Sequence, residues 1–399
     1  MMIRKLSTLF FLIALLILPR PTSAELRAEE LQLTCALASM AAYSSDTAMM
    51  FREMLKTRGW SLETIEAYSD AADAKAILLR RNDVNILSIC GTEDRKDAAI
   101  DVRFKLVEFT GGGMVHQGFN EYTEVLLNNE RFKELINALL YSDEKLYITG
   151  HSLGGAVAIL TAARLVDLGE QLEVLTFGAP AVGDQSFAER FDGRLKLTRI
   201  TASGDPIKKA LKKLGYVHVG NELKYTPAKS VEHFRHKMAV YLDCALRNYY
   251  DANSEIEIAS GGENRKIYVV PLRMMNIDKE DKRYVELIIR DVLRSRRADL
   301  VLSAEPPSEL DYKTYDDDFA ELDAKYFAEA RAANCDLILI ELLQSRRVRE
   351  ARKDIDQITI EKIVCNLNGF PLSMETSSMN TNEVTAIEAV LLAQLKSAI

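Results

Sequence analysis

The sequence is short of several features that would assign a function quickly. It has no basic excess: 51 Lys and Arg against 59 Asp and Glu give a net charge of −8. No whole-molecule positive field is therefore offered to a nucleic acid. It has only five His and five Cys, none at spacings that suit a metal site, and its last third contains no His. The five Cys (Cys35, Cys90, Cys244, Cys335 and Cys365) are an odd number, which leaves at least one thiol unpaired and excludes a disulfide framework. Cys335 and Cys365 are a candidate pair that sequence does not decide. Cys90, closing the apolar run Val84 to Ile89, reads as a buried inert thiol. The apolar run Leu6 to Leu18 falls short of the ~20 residues that cross a bilayer.

What is present is ordinary globular material: 399 residues, 48% apolar and 28% charged, enough for about two domains at ~150 residues each. Arg4 and Lys5 precede the apolar run, Pro19 to Pro21 break it, and Thr22-Ser23-Ala24 are small residues before Glu25. This is the pattern of a signal peptide cleaved near Ala24, so residues 1–24 are set aside and export, periplasmic or extracellular, is expected. An uncleaved anchor is the alternative. No Cys directly follows the run, which argues against a lipoprotein.

The most informative stretch runs from Lys145 to Leu165. Lys145-Leu146-Tyr147-Ile148 reads as a short buried strand. Ala156 to Leu165 is a run of helix formers with almost no polar face, closed by Gly169. Between them lies Gly150-His151-Ser152-Leu153-Gly154. A Ser on a sharp strand-to-helix turn needs small residues two positions either side, where backbone and helix approach too closely for a Cβ. That turn lifts the hydroxyl out of the sheet to a helix N-terminus, whose dipole favours a developing anion. Asp205 lies at the carboxyl end of a later expected strand (Leu195 to Thr201), where the ligands and catalytic groups of open α/β sheets collect. Asp184, one strand earlier, is the rival acid. A base would follow the acid in the chain order Ser, Asp, His, leaving His218, His233 and His236.

Gly150-His151-Ser152-Leu153-Gly154-Gly155-Ala156 resembles the nucleophile elbow of the class 3, fungal-lipase-like family, and further matches extend the likeness over about residues 29–248. The resemblance implies a mostly parallel α/β-hydrolase sheet with helices on both faces. It also implies hydrolysis of acyl esters, usually lipids, with no metal or organic cofactor. Within it, Asp205-Pro206 matches the family acid. His236-Lys237-Met238-Ala239-Val240-Tyr241 matches the family's His-X-Met-X-X-Tyr, which selects His236 over His233, while His218 matches a packing position. Val115-His116-Gln117-Gly118-Phe119 matches a packing motif and makes His116 structural. Thr176 to Gly183 resembles the loop Thr-Phe-Gly-X-Pro-X-Val-Gly. Gly91-Thr92 maps Thr92 onto the oxyanion hole, with the Leu153 N–H as the second donor. His151 is discounted because its side chain should point away. Two departures stand out. Cys90 replaces the family's usual Arg, and Asp94 to Asp101 is charged where the family carries an apolar lid, which favours an esterase or phospholipase over a triacylglycerol lipase.

Other segments are read more coarsely. Helices are expected at Glu29–Tyr43, around Met49–Leu55 and at Asn120–Leu140, and strands at Ala76–Arg80, Val84–Cys90 and Val102–Phe109. Ile207 to Leu214 is apolar and basic in helical alternation. It is either a solvated turn or a patch that attracts anionic lipid head groups at a membrane surface. Residues 251–264 are turn-rich and mark a linker. From 265 to 399, alternating strands and helices suggest a smaller, separate α/β domain of unknown partner. That domain loosely resembles periplasmic domains of the curli-secretion and Tol-translocation type. Asp316-Asp317-Asp318 reads as a solvated loop. A competing reading of the whole is a binding or adaptor protein on a hydrolase scaffold, with function in the C-terminal part.

Overall fold

The computed structural model describes residues 26–44, 46–68, 73–91, 105–228, 235–252, 266–277, 281, 283–284, 287, 299–303, 308–309, 319–350, 353–369 and 371–379. The expected signal peptide, Thr92, the charged loop 94–101, His233, residues 253–264 of the expected linker and Asp316 to Asp318 lie outside them.

Helices α1 (Ala28–Ala41) and α2 (Asp46–Thr57) lead into strands β1 (Ser61–Tyr68), β2 (Asp73–Arg81) and β3 (Val84–Ile89). The β2–β3 turn is made at Asn82, whose φ of 53° is the left-handed conformation that Asn tolerates. Strands β4 (Leu106–Glu108) and β5 (Met114–His116) form a small hairpin, β4 lying in the described part of the strand expected over 102–109. The single helix expected over 120–140 is two, α3 (Gln117–Asn128) and α4 (Glu130–Leu140). Asn129 between them is extended, and its side chain accepts from Phe132 N at 3.1 Å, so it ends one helix and caps the next.

There follow β6 (Lys145–His151), α5 (Leu153–Arg164), β7 (Leu172–Phe177), α6 (Gln185–Phe191), β8 (Lys196–Ala202), β9 (Asn221–Tyr225) and α7 (Met238–Ala252). The sheet order is β1-β2-β3-β6-β7-β8-β9, antiparallel as far as β3 and parallel from there to β9. Alternate residues feed two cores, as the two-residue period of a strand requires. Ile77, Ile86, Tyr147, Leu175 and Ile200 pack with α1 and α7 on one face. Leu78, Leu87, Ile148, Val174 and Leu197 pack with α3 to α6 on the other. Helix α5 is buried from Gly154 to Ala163, as a helix with no polar face must be.

A second sheet is built from β10 (Lys266–Val269), β11 (Arg273–Met275), β12 (Asp299–Leu302), β13 (Ser308–Glu309), β14 (Leu337–Glu350), β15 (Lys353–Asn366) and β16 (Pro371–Met379), with helix α8 (Phe319–Ala332) before β14. Strands β10 and β11 run parallel to successive parts of β14, while β14, β15 and β16 form an antiparallel meander. Strand–helix alternation thus covers only the first half of this sheet. Its apolar residues Ile267, Leu272, Met274 and Leu339 belong to the same cluster as Leu246 and Tyr250 of α7. Arg247 of α7 reaches across to Asp281 (2.6 Å) while holding Asp243 (2.8 Å), and its guanidinium lies 4.5 Å from the ring centre of Tyr284. All five Cys are buried thiols, so the candidate disulfide between Cys335 and Cys365 is not formed.

Candidate active site

Ser152 sits between β6 and α5 with φ 56° and ψ −121°, a conformation that costs on the order of 1–3 kcal/mol for a residue with a side chain. Two features hold it there. Its N–H donates to Phe177 O at 3.0 Å, and its C=O accepts the first helical bond from Ala156 N at 3.1 Å. The turn closes because position 154 has no Cβ. One placed there would overlap Ile89 O and lie 2.9 Å from the Cys90 carbonyl carbon. The elbow is therefore seated directly on the end of β3. Gly91, which precedes Thr92, is equally close to the elbow, since a Cβ there would lie 2.7 Å from His151 O.

The Ser152 Oγ hydroxyl donates to His236 Nε2 at 2.8 Å, and His236 Nδ1–H donates to Asp205 Oδ2 at 2.9 Å. These three side chains come from the elbow, the turn after β8 and the turn before α7. Asp205 is buried. Its Oδ1 accepts from Ile207 N at 2.8 Å, and its Oδ2 also accepts from Tyr241 OH. Burial alone would raise the Asp205 carboxyl, but the bonds from His236, Tyr241 and Ile207 outweigh it and hold the group below its ordinary value. The Leu153 N–H opens α5, where a helix leaves its donors without internal acceptors. Leu153, expected to donate to the oxyanion, directly follows Ser152 at that helix start, while Thr92 lies outside the described residues.

The other candidates fall elsewhere. Asp184 caps α6, accepting from Phe187 N at 2.9 Å and from Met114 N at 3.1 Å. Its carboxyl is lowered because those bonds exceed the opposing effect of burial. His116 caps α3 through Phe119 N at 3.3 Å and stacks on the Phe119 ring, with its pKa lowered to about 4 by burial. His218 lines a cavity of about 390 Å³ with Arg199, Lys209, Lys212, Tyr216 and Glu222. The apolar and basic segment 207–214 forms two short 3₁₀ turns, Ile207–Lys209 and Lys212–Leu214.

The sequence reading passed over three residues. Tyr241 was part of a recognised motif but had no role; it is fully buried, donates to Asp205 and accepts from Ala202 N at 3.2 Å. His151 does not turn away from the site. Its ring centre is 4.9 Å from that of His236, and its Nε2 is 2.7 Å from the His236 carbonyl oxygen. Its Nδ1 is 2.8 Å from Tyr43 OH. Contacts spanning such long separations leave no spacing signal in the chain.

A hydrogen-bonded Ser–His–Asp line at the carboxyl ends of a mainly parallel sheet, with the Ser on a strained elbow, defines an α/β-hydrolase scaffold. Residues 86–213 match the family described as lipase, class 3. Phospholipase A1-II 4 of Oryza sativa subsp. japonica is 33% identical over 191 residues, covering 40% of this chain and 48% of that protein. The toxin TseL of Vibrio cholerae is 42% identical over 87 residues, or 21% of this chain and 13% of that protein. The secreted mono- and diacylglycerol lipase 1 of Fusarium solani is 32% identical over 127 residues, or 31% of this chain and 38% of that protein. The chain spans less than half the length of each of these relatives.

Proposed function

We propose that the protein hydrolyses carboxylic esters, with lipids as its substrate class, through an acyl-enzyme on Ser152. The observation that carries this is the unbroken line from Ser152 Oγ through His236 to Asp205, at 2.8 Å and 2.9 Å. A Ser hydroxyl is a weak nucleophile until a base takes its proton. His236 Nε2 accepts that proton as Oγ attacks the ester carbonyl carbon, then returns it to the departing alkoxide. Asp205 holds the tautomer and stabilises the imidazolium. Water then attacks the acyl-enzyme by the same relay and releases the acid. The Leu153 N–H, with Thr92 as the second donor, receives the oxyanion, each donor contributing about 3 kcal/mol to the transition state. Covalent labelling by a fluorophosphonate and turnover of short p-nitrophenyl esters are expected, both lost in Ser152→Ala with the fold kept. Labelling that survives the substitution overturns the assignment.

Two finer parts belong to the same reading. Lys209 and Lys212, which follow Asp205 in the chain and line the His218 cavity with Arg199, favour anionic head groups at a lipid surface. Hydrolysis should then rise when anionic lipid is mixed into neutral vesicles, and a flat response removes this part. The signal-peptide pattern supports export, with a mature chain beginning near Glu25. An exported chain that retains Met1, or a chain found only in the cytoplasm, counts against it.

A further inference from the structure

The arrangement behind the base has a fixed direction. A backbone carbonyl can only accept, so the 2.7 Å contact between His151 Nε2 and His236 O requires the proton on Nε2. His151 is buried, and burial together with the neighbouring His236 lowers its pKa to about 3. The ring is therefore neutral, and Nδ1 carries a lone pair. That lone pair accepts from Tyr43 OH at 2.8 Å. The order of donation is Tyr43 O–H to His151 Nδ1, then His151 Nε2–H to His236 C=O.

His236 needs such support. It lies in a three-residue turn, 235–237, between the undescribed residues and the start of α7 at Met238. Its side chain is tied to Ser152 and Asp205, but those bonds orient the ring only if the main chain stays in place. The far end of the relay is itself anchored: Arg52 Nε donates to Ala41 O at 2.8 Å and Nη2 to Tyr43 O at 3.5 Å, which braces the turn after α1.

We propose that His151 and Tyr43 are positioning residues for the catalytic base, gripping the His236 backbone so that its ring stays in line with Ser152. Tyr43 acts at one remove, by fixing the tautomer of His151. Without the phenol donor, the alternative tautomer turns a lone pair toward the His236 carbonyl and the grip becomes repulsion. The proposal rests on the hydrolase reading above.

The test uses the full chain with p-nitrophenyl butyrate, reading kcat and KM separately alongside the thermal midpoint. His151→Phe is expected to lower kcat about 100-fold with KM unchanged, the scale of a ~1 Å misplacement of a reacting group. His151→Gln should recover most of that loss, because its amide N–H can donate to His236 O and its amide oxygen can accept from Tyr43. Tyr43→Phe should lower kcat roughly tenfold, the smaller loss expected when positioning is loosened but not removed. The double variant Tyr43→Phe/His151→Phe should be no worse than His151→Phe alone, because the two act through one contact. Wild-type kcat in His151→Phe, equal losses in the Gln and Phe variants, or multiplicative losses in the double variant would overturn the proposal. If His151→Phe does not fold, the kcat of Tyr43→Phe decides it. Failure of the wild type itself to label with fluorophosphonate would sink the hydrolase reading instead.

Discussion

Replacing Tyr241 by Phe removes one oxygen from the support of the catalytic acid, and the structure sets what that should cost. The phenol is fully buried, donates to Asp205 Oδ2 and accepts from Ala202 N. A bond to an ionised group contributes about 1.5–3 kcal/mol, and an orphaned buried N–H costs at least ~1 kcal/mol, so the variant should lose about 3 kcal/mol at pH 7. The pH dependence is the sharper part. The folded pKa of Asp205 lies below its ordinary 3.8, so its ionisation stabilises the fold above that value. This contribution is lost as pH falls through the folded pKa. Tyr241→Phe raises the folded pKa toward 3.8, leaving the variant less to lose on acidification. Urea unfolding of both proteins at pH 7, 5 and 3 should show a difference that is constant from 7 to 5 and smaller at 3, because the wild type loses more of its carboxylate stabilisation on acidification than the variant does. A difference that stays level or grows at pH 3 refutes the argument that Tyr241 stabilises the carboxylate.

Four further substitutions probe separate parts of the molecule. Asp205→Asn should lower kcat about 10⁴-fold by leaving His236 in the wrong tautomer. Asp184→Ala should cost only the cap of α6, about 1 kcal/mol in a urea melt, with kcat nearly unchanged, and the reverse ranking of kcat would exchange the two acids. Gly154→Ala drives a methyl into Ile89 O and Cys90. It should destabilise by about 1–3 kcal/mol, measured by thermal melting, and slow fluorophosphonate labelling by pushing the elbow off the end of β3; unchanged labelling would count against that displacement. Arg247→Ala strands the carboxylates of Asp243 and Asp281 and should cost about 3–5 kcal/mol at pH 7. Burial already raises Asp243, and without its cation the folded pKa rises further above the unfolded one. The loss should therefore shrink as pH is lowered and Asp243 protonates.

The elbow was legible because its signal is local: strand, small residues, Ser and helix lie within twenty positions, and each excludes alternatives for the next. Asp205 was separable from Asp184 by motif, and the physical reason now visible is that Asp184 starts α6 as an ordinary Asx cap. What was missed lacked local contrast. The apolar period runs straight through Asn129, hiding a break made by one side chain. Strand β1 buries only Ile65 and Ala67, so its alternation is faint, and β16, rich in Ser and Met, has little β-propensity to read. The relay of Tyr43, His151 and His236 joins three places in the chain that only folding brings together.

Helix α7 begins two residues after the catalytic base and ends in the charged clamp on Asp281. A protein shortened at residue 250 would thus keep every member of the proton relay and still lose the buttress that keeps them aligned. Its exposed apolar flank, stripped of Ile267, Leu272 and Leu339, would drive aggregation in place of a freestanding enzyme. Attempts to isolate the catalytic half should therefore cut well past the second sheet, or not at all.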